Sequence, residues 1–320
     1  MSFQFFDPAN IEFGVCRGSL LAGQFAIVPV DKSVKSMLEQ MVTATRTELG
    51  LDATMPEIPS YELSERYPSE SPLSLPLSDP LAEKLKALVS VGNIPTNAKA
   101  LDDVKDVTAY FCIVHDRAGG KLLAIRRAAQ FKGMLKRRFV RVFNETLEAI
   151  TDTVFQLDSD FDLLVVDDTV YILRPTAFEH LADIDAQILA QAGKNTAALD
   201  AIVPGIGFSV IAPYVSRHKR AARIIASLLR RDDLRDITVA SLRRACRLNS
   251  IPVDSSDGML APLKGQELAF LNLLDRRRYV VSLIPRKHEQ YEAGSRKNIG
   301  IRARAGEGQA EAATAAPKGS

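Results

Sequence analysis

An α+β fold is what this sequence predicts: an antiparallel β-meander with packed helices, followed by a mainly helical, basic C-terminal region. Three observations carry that expectation. Short runs of β-branched and large apolar residues recur in pairs around polar tips, the pattern of hairpins and not of βαβ crossovers. From Pro204 onward the apolar spacing turns mainly helical, and basic residues gather there. Between the two patterns lies one stretch, residues 161–179, that spells strand, turn, strand, helix.

Taken in order, residues 11–30 alternate weakly, with residues 24–30 the better strand. Residues 33–49 read as a helix on Val34, Met37, Leu38, Met41 and Val42, with Gly50 as its stop. Six of the sixteen prolines fall within residues 54–80 among many serines, which favours an extended connector or surface arm over packed structure. Asp79 can cap a short helix over residues 80–91, ended by Gly92. Residues 107–115 and 122–126 pair around a turn at 116–121, and a further strand at 154–157 leads toward Phe161. Meander strands of this kind predict helices on one face. Residues 131–143 carry basic groups all around a helical wheel, which leaves strand and helix both open.

In the central stretch, the runs 161–166 and 169–173 flank Asp167-Asp168, the tip of a tight hairpin. Pro175 ends the ladder, and Thr176 stands three residues before Glu179, the spacing of a capping box opening a helix to about Ala192. Further helices are expected over 217–231, 239–248 and 264–276. The chain thus divides into an α+β domain at 1–195 with its connector at 54–80, a basic helical region at 196–305, and a tail at 306–320. That tail, rich in Ala, Gly and Glu, has nothing to bury and is expected to be disordered.

With 320 residues, 46% hydrophobic and 25% charged, the chain can bury a sizeable core. It shows neither a signal-like start nor a run approaching the ~20 apolar residues that cross a bilayer. A cytoplasmic protein is expected, reaching the inner face of a membrane only through a partner. Cys16, Cys112 and Cys246 are too few and too scattered for disulfides or zinc, and the four histidines have no ligand spacing. No cofactor is encoded.

The net charge of +2 conceals segregation along the chain. Residues 1–115 hold nine basic against fifteen acidic groups, net −6; residues 117–147 hold nine against one, net +8. Residues 148–203 hold two against eleven, net −9, and residues 204–320 twenty-one against eleven, net +10. Such asymmetry suits a polyanion-binding surface, or a homodimer or higher homo-oligomer whose acidic and basic regions meet.

On a wheel of about 100° per residue, the helix at 217–231 puts Ala221, Ile224, Ile225, Leu228 and Leu229 on one face. Lys219, Arg220, Arg223, Arg230 and Arg231 gather on the other. Arg243, Arg244 and Arg247 repeat the theme at i, i+1, i+4 on the next helix, and Arg276, Arg277 and Arg278 add a cluster. Lys136, Arg137 and Arg138 form another basic group, which could equally pair with the acidic stretch after Glu148. Rows of cations on rigid helices suit the phosphates of duplex DNA, so backbone-dominated DNA binding is the expectation. A helix-turn-helix over 217–248 is disfavoured by the acidic connection at 231–236.

For catalysis the pattern is thin. Asp158, Asp160, Asp162, Asp167 and Asp168 could be imagined around magnesium, but they sit at turns that are acidic for conformational reasons. Asp103 and Lys105 have a nuclease-like spacing without an upstream acidic partner. A non-enzymatic protein is expected; a metal-dependent nuclease and a protein-assembly scaffold are the alternatives.

The central stretch, with Phe161-Asp, its apolar run, Val-Tyr-Ile-Leu173 and Ala177-Phe-Glu179, resembles the signature of the KwaB family, the soluble component of the Kiwa anti-phage defence system. The block Leu123-Ala-Ile-Arg-Arg127 and the closing Phe270-Leu-Asn-Leu-Leu274 and Tyr291-Glu-Ala-Gly-Ser-Arg-Lys297 extend the resemblance to roughly residues 107–300. It implies a protein that binds phage DNA without needing to cut it. It also implies a complex with KwaA, a small protein with several membrane-spanning helices.

Overall fold

The computed structural model describes residues 8–18, 24–51, 58–90, 94–97, 107–128, 140–143, 146–149, 155, 157–255, 258–284 and 287–294. Lys136, Arg137, Arg138, Asp103, Lys105 and the tail from 306 lie outside the described residues. In chain order the elements are β1 (Pro8–Arg17), β2 (Gln24–Val28), α1 (Lys32–Glu48), β3 (Leu73–Pro76), α2 (Glu83–Ser90), β4 (Val107–Asp116) and β5 (Lys121–Arg127). Next come β6 (Val140–Phe143), β7 (Thr146–Ala149), β8 (Leu163–Val166), β9 (Thr169–Ile172), α3 (Pro175–Leu181), α4 (Ile184–Ala190) and α5 (Ala192–Ile202). Last are α6 (Ala212–Val215), α7 (Lys219–Leu228), α8 (Val239–Leu248), β10 (Val253–Asp254), β11 (Ala261–Pro262), α9 (Glu267–Leu274), β12 (Arg278–Ile284) and β13 (Lys287–Glu292).

Seven strands make one antiparallel sheet in the order β2-β1-β4-β5-β8-β9-β3. Strand side chains alternate between faces, so β4 splits by parity. Ala109, Phe111 and Ile113 join Leu123, Ile125, Leu163 and Val165 in one apolar cluster. Tyr110, Cys112 and Val114 join Leu122, Ala124, Leu164 and Val166 in the other. The helices from α3 onward close the first cluster through Phe178, Leu181, Ile224, Ile225 and Phe270. Helix α1 closes the second through Leu38 and Met41. Helices therefore cover both faces, not one, because β4 and β8 carry apolar side chains on both sides and must be buried on each.

The central hairpin is as expected, with Asp167 at φ 50° in the left-handed region at its tip. The helix after it differs. Arg174 is the N-cap, in extended conformation, and Pro175 occupies the first turn, where its missing N–H costs nothing. Thr176 makes no capping bond, because the helix has already begun before it. The run expected to about Ala192 breaks at Asp183, at φ 52°, before α4. Of the strand expected at 154–157, Phe155 and Leu157 are described and belong to no strand. Within 131–143, Val140–Phe143 is a strand paired with β7.

The Pro/Ser-rich segment is a second correction. It contributes β3, the outermost strand beside β9, and buries Tyr61, Leu63, Leu73, Leu75 and Leu77. Alternate leucines face the core, while Pro76 is tolerated because an edge strand needs no donor on its open side. The N–H of Tyr61 donates to the Ser74 carbonyl at 2.8 Å, tying the approach to the strand. No helix among the described residues is long and apolar enough to cross a membrane.

Packing of this segment makes Leu75→Ala costly, by about 2 to 5 kcal/mol. The expected outcome is a lower urea midpoint at unchanged slope; an unchanged midpoint would mean that residues 58–77 are not part of the core.

Candidate functional site

Helix α7 buries the face expected of it, with Ala221, Ile224, Ile225 and Leu228 all in the core. Its basic face is not an open row. Arg223 is only 19% exposed, and its two terminal nitrogens donate to Glu179 at 2.7 and 2.6 Å while Nε donates to Asp185 at 2.9 Å. The Tyr61 hydroxyl donates to the same Glu179 at 2.8 Å. Burial pushes that phenol up, and the Glu179 charge pushes it further. Burial alone would lower the Arg223 guanidinium, but Glu179 raises it, so it stays charged.

The neighbours are committed too. Lys219 meets Asp185 at 3.0 Å and Arg220 meets Glu292 at 2.9 Å. Arg230 pairs with Asp79; Arg231 pairs with Asp233 at 2.9 Å and donates to the Leu274 carbonyl at 2.7 Å. Arg276 pairs with Asp233. Arg277 is 2% exposed and ties Asp275, at 2.6 Å, to Glu65, at 3.0 Å. Acidic Glu179 and Asp185 thus meet basic α7 within one chain.

The carboxylates considered for magnesium form a second knot. Arg126 reaches Asp158 at 3.1 Å, Asp160 at 2.7 Å and Asp162 at 3.0 Å; Arg174 reaches Asp160 at 2.6 and 3.0 Å. Asp162 also accepts the Arg127 backbone N–H at 2.7 Å, and Tyr110 donates to Asp158 at 2.8 Å. Burial raises the Asp162 carboxyl. Burial would raise Asp160 as well, but hydrogen bonds from Arg174 hold it below the usual carboxylate range. Asp167 and Asp168 stand apart at the hairpin tip. Among the described residues no group of three His, Cys, Asp or Glu side chains could hold a metal ion.

What remains open is α8. Thr238 caps it by accepting the Ser241 N–H at 3.1 Å, and Leu242 and Cys246 face inward. Arg243, Arg244 and Arg247 share the exposed arc. Among the described residues none of the three meets a carboxylate; Arg243 donates to the Ser255 hydroxyl at 3.1 Å. Helices α7 and α8 are separated by residues 229–238, including a 3₁₀ turn at Asp232–Asp236, longer than the three or four residues of a helix-turn-helix. The amphipathic wheel identified which residues face outward. It could not show that most of them face an acid, although the acidic block at 148–203 was the available signal.

A family model described as Kiwa protein KwaB-like matches residues 105–283, more than half of the chain. The match takes in both guanidinium knots and α8, and leaves out β1 and α1. No curated protein and no solved structure matches.

Asp160 is expected to stabilise the fold above the unfolded carboxylate pKa of about 3.9, and to lose that contribution as pH falls through its depressed folded value. Asp160→Asn should therefore lower stability at pH 7 by about 1 to 3 kcal/mol, because Arg174 loses its closest acceptor while Arg126 keeps Asp158 and Asp162. The gap in urea midpoint between variant and wild type should narrow progressively as pH falls below about 3.9; a gap independent of pH would refute the assignment.

Proposed function

This chain belongs to the KwaB-like family, with a role in Kiwa anti-phage defence, and from that premise we propose that it binds phage DNA through α8 without cutting it, beside a membrane-embedded KwaA-like partner. The observation that carries the DNA reading is the row Arg243, Arg244 and Arg247. These cations are exposed, lie on a capped helix, and meet no carboxylate among the described residues. From Arg243 to Arg247 the helix rises about 6 Å, close to two axial steps of ~3.4 Å between successive phosphates of one DNA strand, so three cations can meet up to three phosphates. Such contacts hold the backbone and carry no base readout. The exposed pairs Lys219–Asp185 and Arg220–Glu292 are worth little and can exchange for a phosphate, so they add a secondary rim. Arg223 and Arg277 are committed to structure.

The membrane partner follows from the family resemblance. On this reading the chain reaches a membrane by binding a spanning protein, consistent with the lack of a spanning helix among its described residues.

A salt titration of duplex binding tests the DNA reading. Replacing Arg243, Arg244 and Arg247 together by alanine should flatten the log-log slope by roughly 2 to 3, at ~0.9 for each phosphate no longer neutralised. Arg223→Ala should leave that slope alone while destabilising the fold. The DNA should emerge uncut after incubation with magnesium. An unchanged slope in the triple variant removes α8 from the interface.

For the partner, the chain should sediment with membranes only when a KwaA-like protein is co-expressed. Equal sedimentation with and without it would reject the complex.

A further inference from the structure

The hairpin of β12 and β13 is polarised in the opposite sense to a sheet that only covers a core. Strand side chains alternate between faces, and the register sets Arg278 opposite Glu292 and Val280 opposite Gln290 on one face. Tyr279 opposite Tyr291 and Val281 opposite Glu289 lie on the other. The first face, polar apart from Val280, is the one docked on the body of the chain. Glu292 meets Arg220 of α7 at 2.9 Å. At the end of α8, Gln290 donates to the Ser250 hydroxyl at 2.9 Å and to the Leu248 carbonyl at 3.4 Å.

The second face carries the aromatic rings and meets solvent. Tyr279 is 47% exposed and Tyr291 44%. Their ring centroids are 5.7 Å apart and their planes 20° from parallel. A cross-strand aromatic pair stabilises a hairpin wherever it lies, but this one leaves about half of its surface in water, where large flat rings are favourable partners for other flat groups. Glu289, the charged residue described on this face, accepts from the Tyr291 hydroxyl at 2.7 Å.

We propose that this outer face stacks unpaired nucleobases, so that DNA carrying a single-stranded segment is preferred over blunt duplex. The proposal rests on the DNA reading and narrows its ligand. Among the described residues the face offers rings and a carboxylate and no cation, so it repels phosphate and suits the uncharged, flat part of a nucleotide. In a duplex the bases stack on one another and the phosphates face outward; only an unpaired base can lay its own face on a tyrosine. Cations for the backbone stand beside the hairpin. Gln290, the neighbour of Tyr291, touches Leu248, the neighbour of Arg247 at the end of the exposed row on α8. The sequence that follows β13 adds Arg296, Lys297, Arg302 and Arg304, with no acidic residue across 295–304. A second copy of the chain could cover the rings equally well, but would give no role to this basic surround.

Fluorescence anisotropy on the full chain compares a labelled blunt duplex with the same duplex carrying a thymidine overhang. The overhang should tighten binding by about tenfold for each base stacked. Tyr279→Ala combined with Tyr291→Ala should abolish that gain and leave blunt-duplex affinity unchanged, whereas Tyr279→Phe combined with Tyr291→Phe should keep it. The α8 triple variant should weaken both ligands and preserve the ratio between them. Equal wild-type affinity for the two DNAs overturns the proposal while duplex binding stands. A gain that survives the alanines, with self-association lost in sedimentation velocity, overturns it too and assigns the face to a second copy. Failure to bind either DNA overturns the DNA reading, and the proposal with it.

Discussion

Helix α7 packs among α4, α5, α6 and α9, and there the half-buried Arg223 finds two carboxylates. A guanidinium taken out of water carries a penalty of several kcal/mol, recovered only when its nitrogens are matched by well-placed acceptors. Glu179 on α3 and Asp185 on α4 supply them, and Tyr61 from the segment before β3 completes the hydrogen bonding of Glu179. Four separate parts of the chain are thereby fixed at one point. Around it, a single apolar cluster runs from Phe111 in the sheet to Phe270 in α9. The same logic recurs at Arg126 and Arg174, and again at Arg277, which joins Glu65 to the end of α9.

This constraint decides which cations are left to bind anything. Arg223 and Arg277, largely withdrawn from water, are matched inside the chain, whereas an arginine on the outer arc of a peripheral helix need not be. Of the basic residues on α7, those nearest its core face are the most committed. Helix α8 buries only Leu242 and Cys246 among its ten residues, so its arginines project away from the acids that neutralise α7. Much of the net +10 of residues 204–320 is therefore balanced internally, against acids such as Asp79, Glu179 and Asp185 in residues 1–203.

What was legible in the sequence was local. The Asp167-Asp168 tip, the β4–β5 hairpin, α1 with its Gly50 stop and the apolar face of α7 each depend on residues within one turn or one strand pair, so periodicity finds them. Glu179 shows where that stops. As a capping residue it would bond to a backbone three positions away; its actual partner, Arg223, is 44 positions away. The Pro/Ser-rich segment misled in another manner, because composition averaged over 54–80 hides the alternation of Leu73, Leu75 and Leu77 that makes a strand. At Asp158, Asp160 and Asp162 the alternation was visible, but the arginines they bind come from separate strand ends.

The arginines of α8 and Arg127 differ in what surrounds them. On α8, the flanking surface carries no acid partner for its arginines among the described residues, so a long polyanion can lie across it. Arg127 lines a cleft of about 640 Å³ with Glu179, Asp183, Asp185 and Lys219, and Glu179 and Asp185 are paired there within the chain. Because Arg127 follows Arg126 directly, and Asp162 holds both the Arg126 side chain and the Arg127 backbone, the cleft is built on the same carboxylate knot that closes the end of the sheet. Its geometry is thus set by the core and not by a loop.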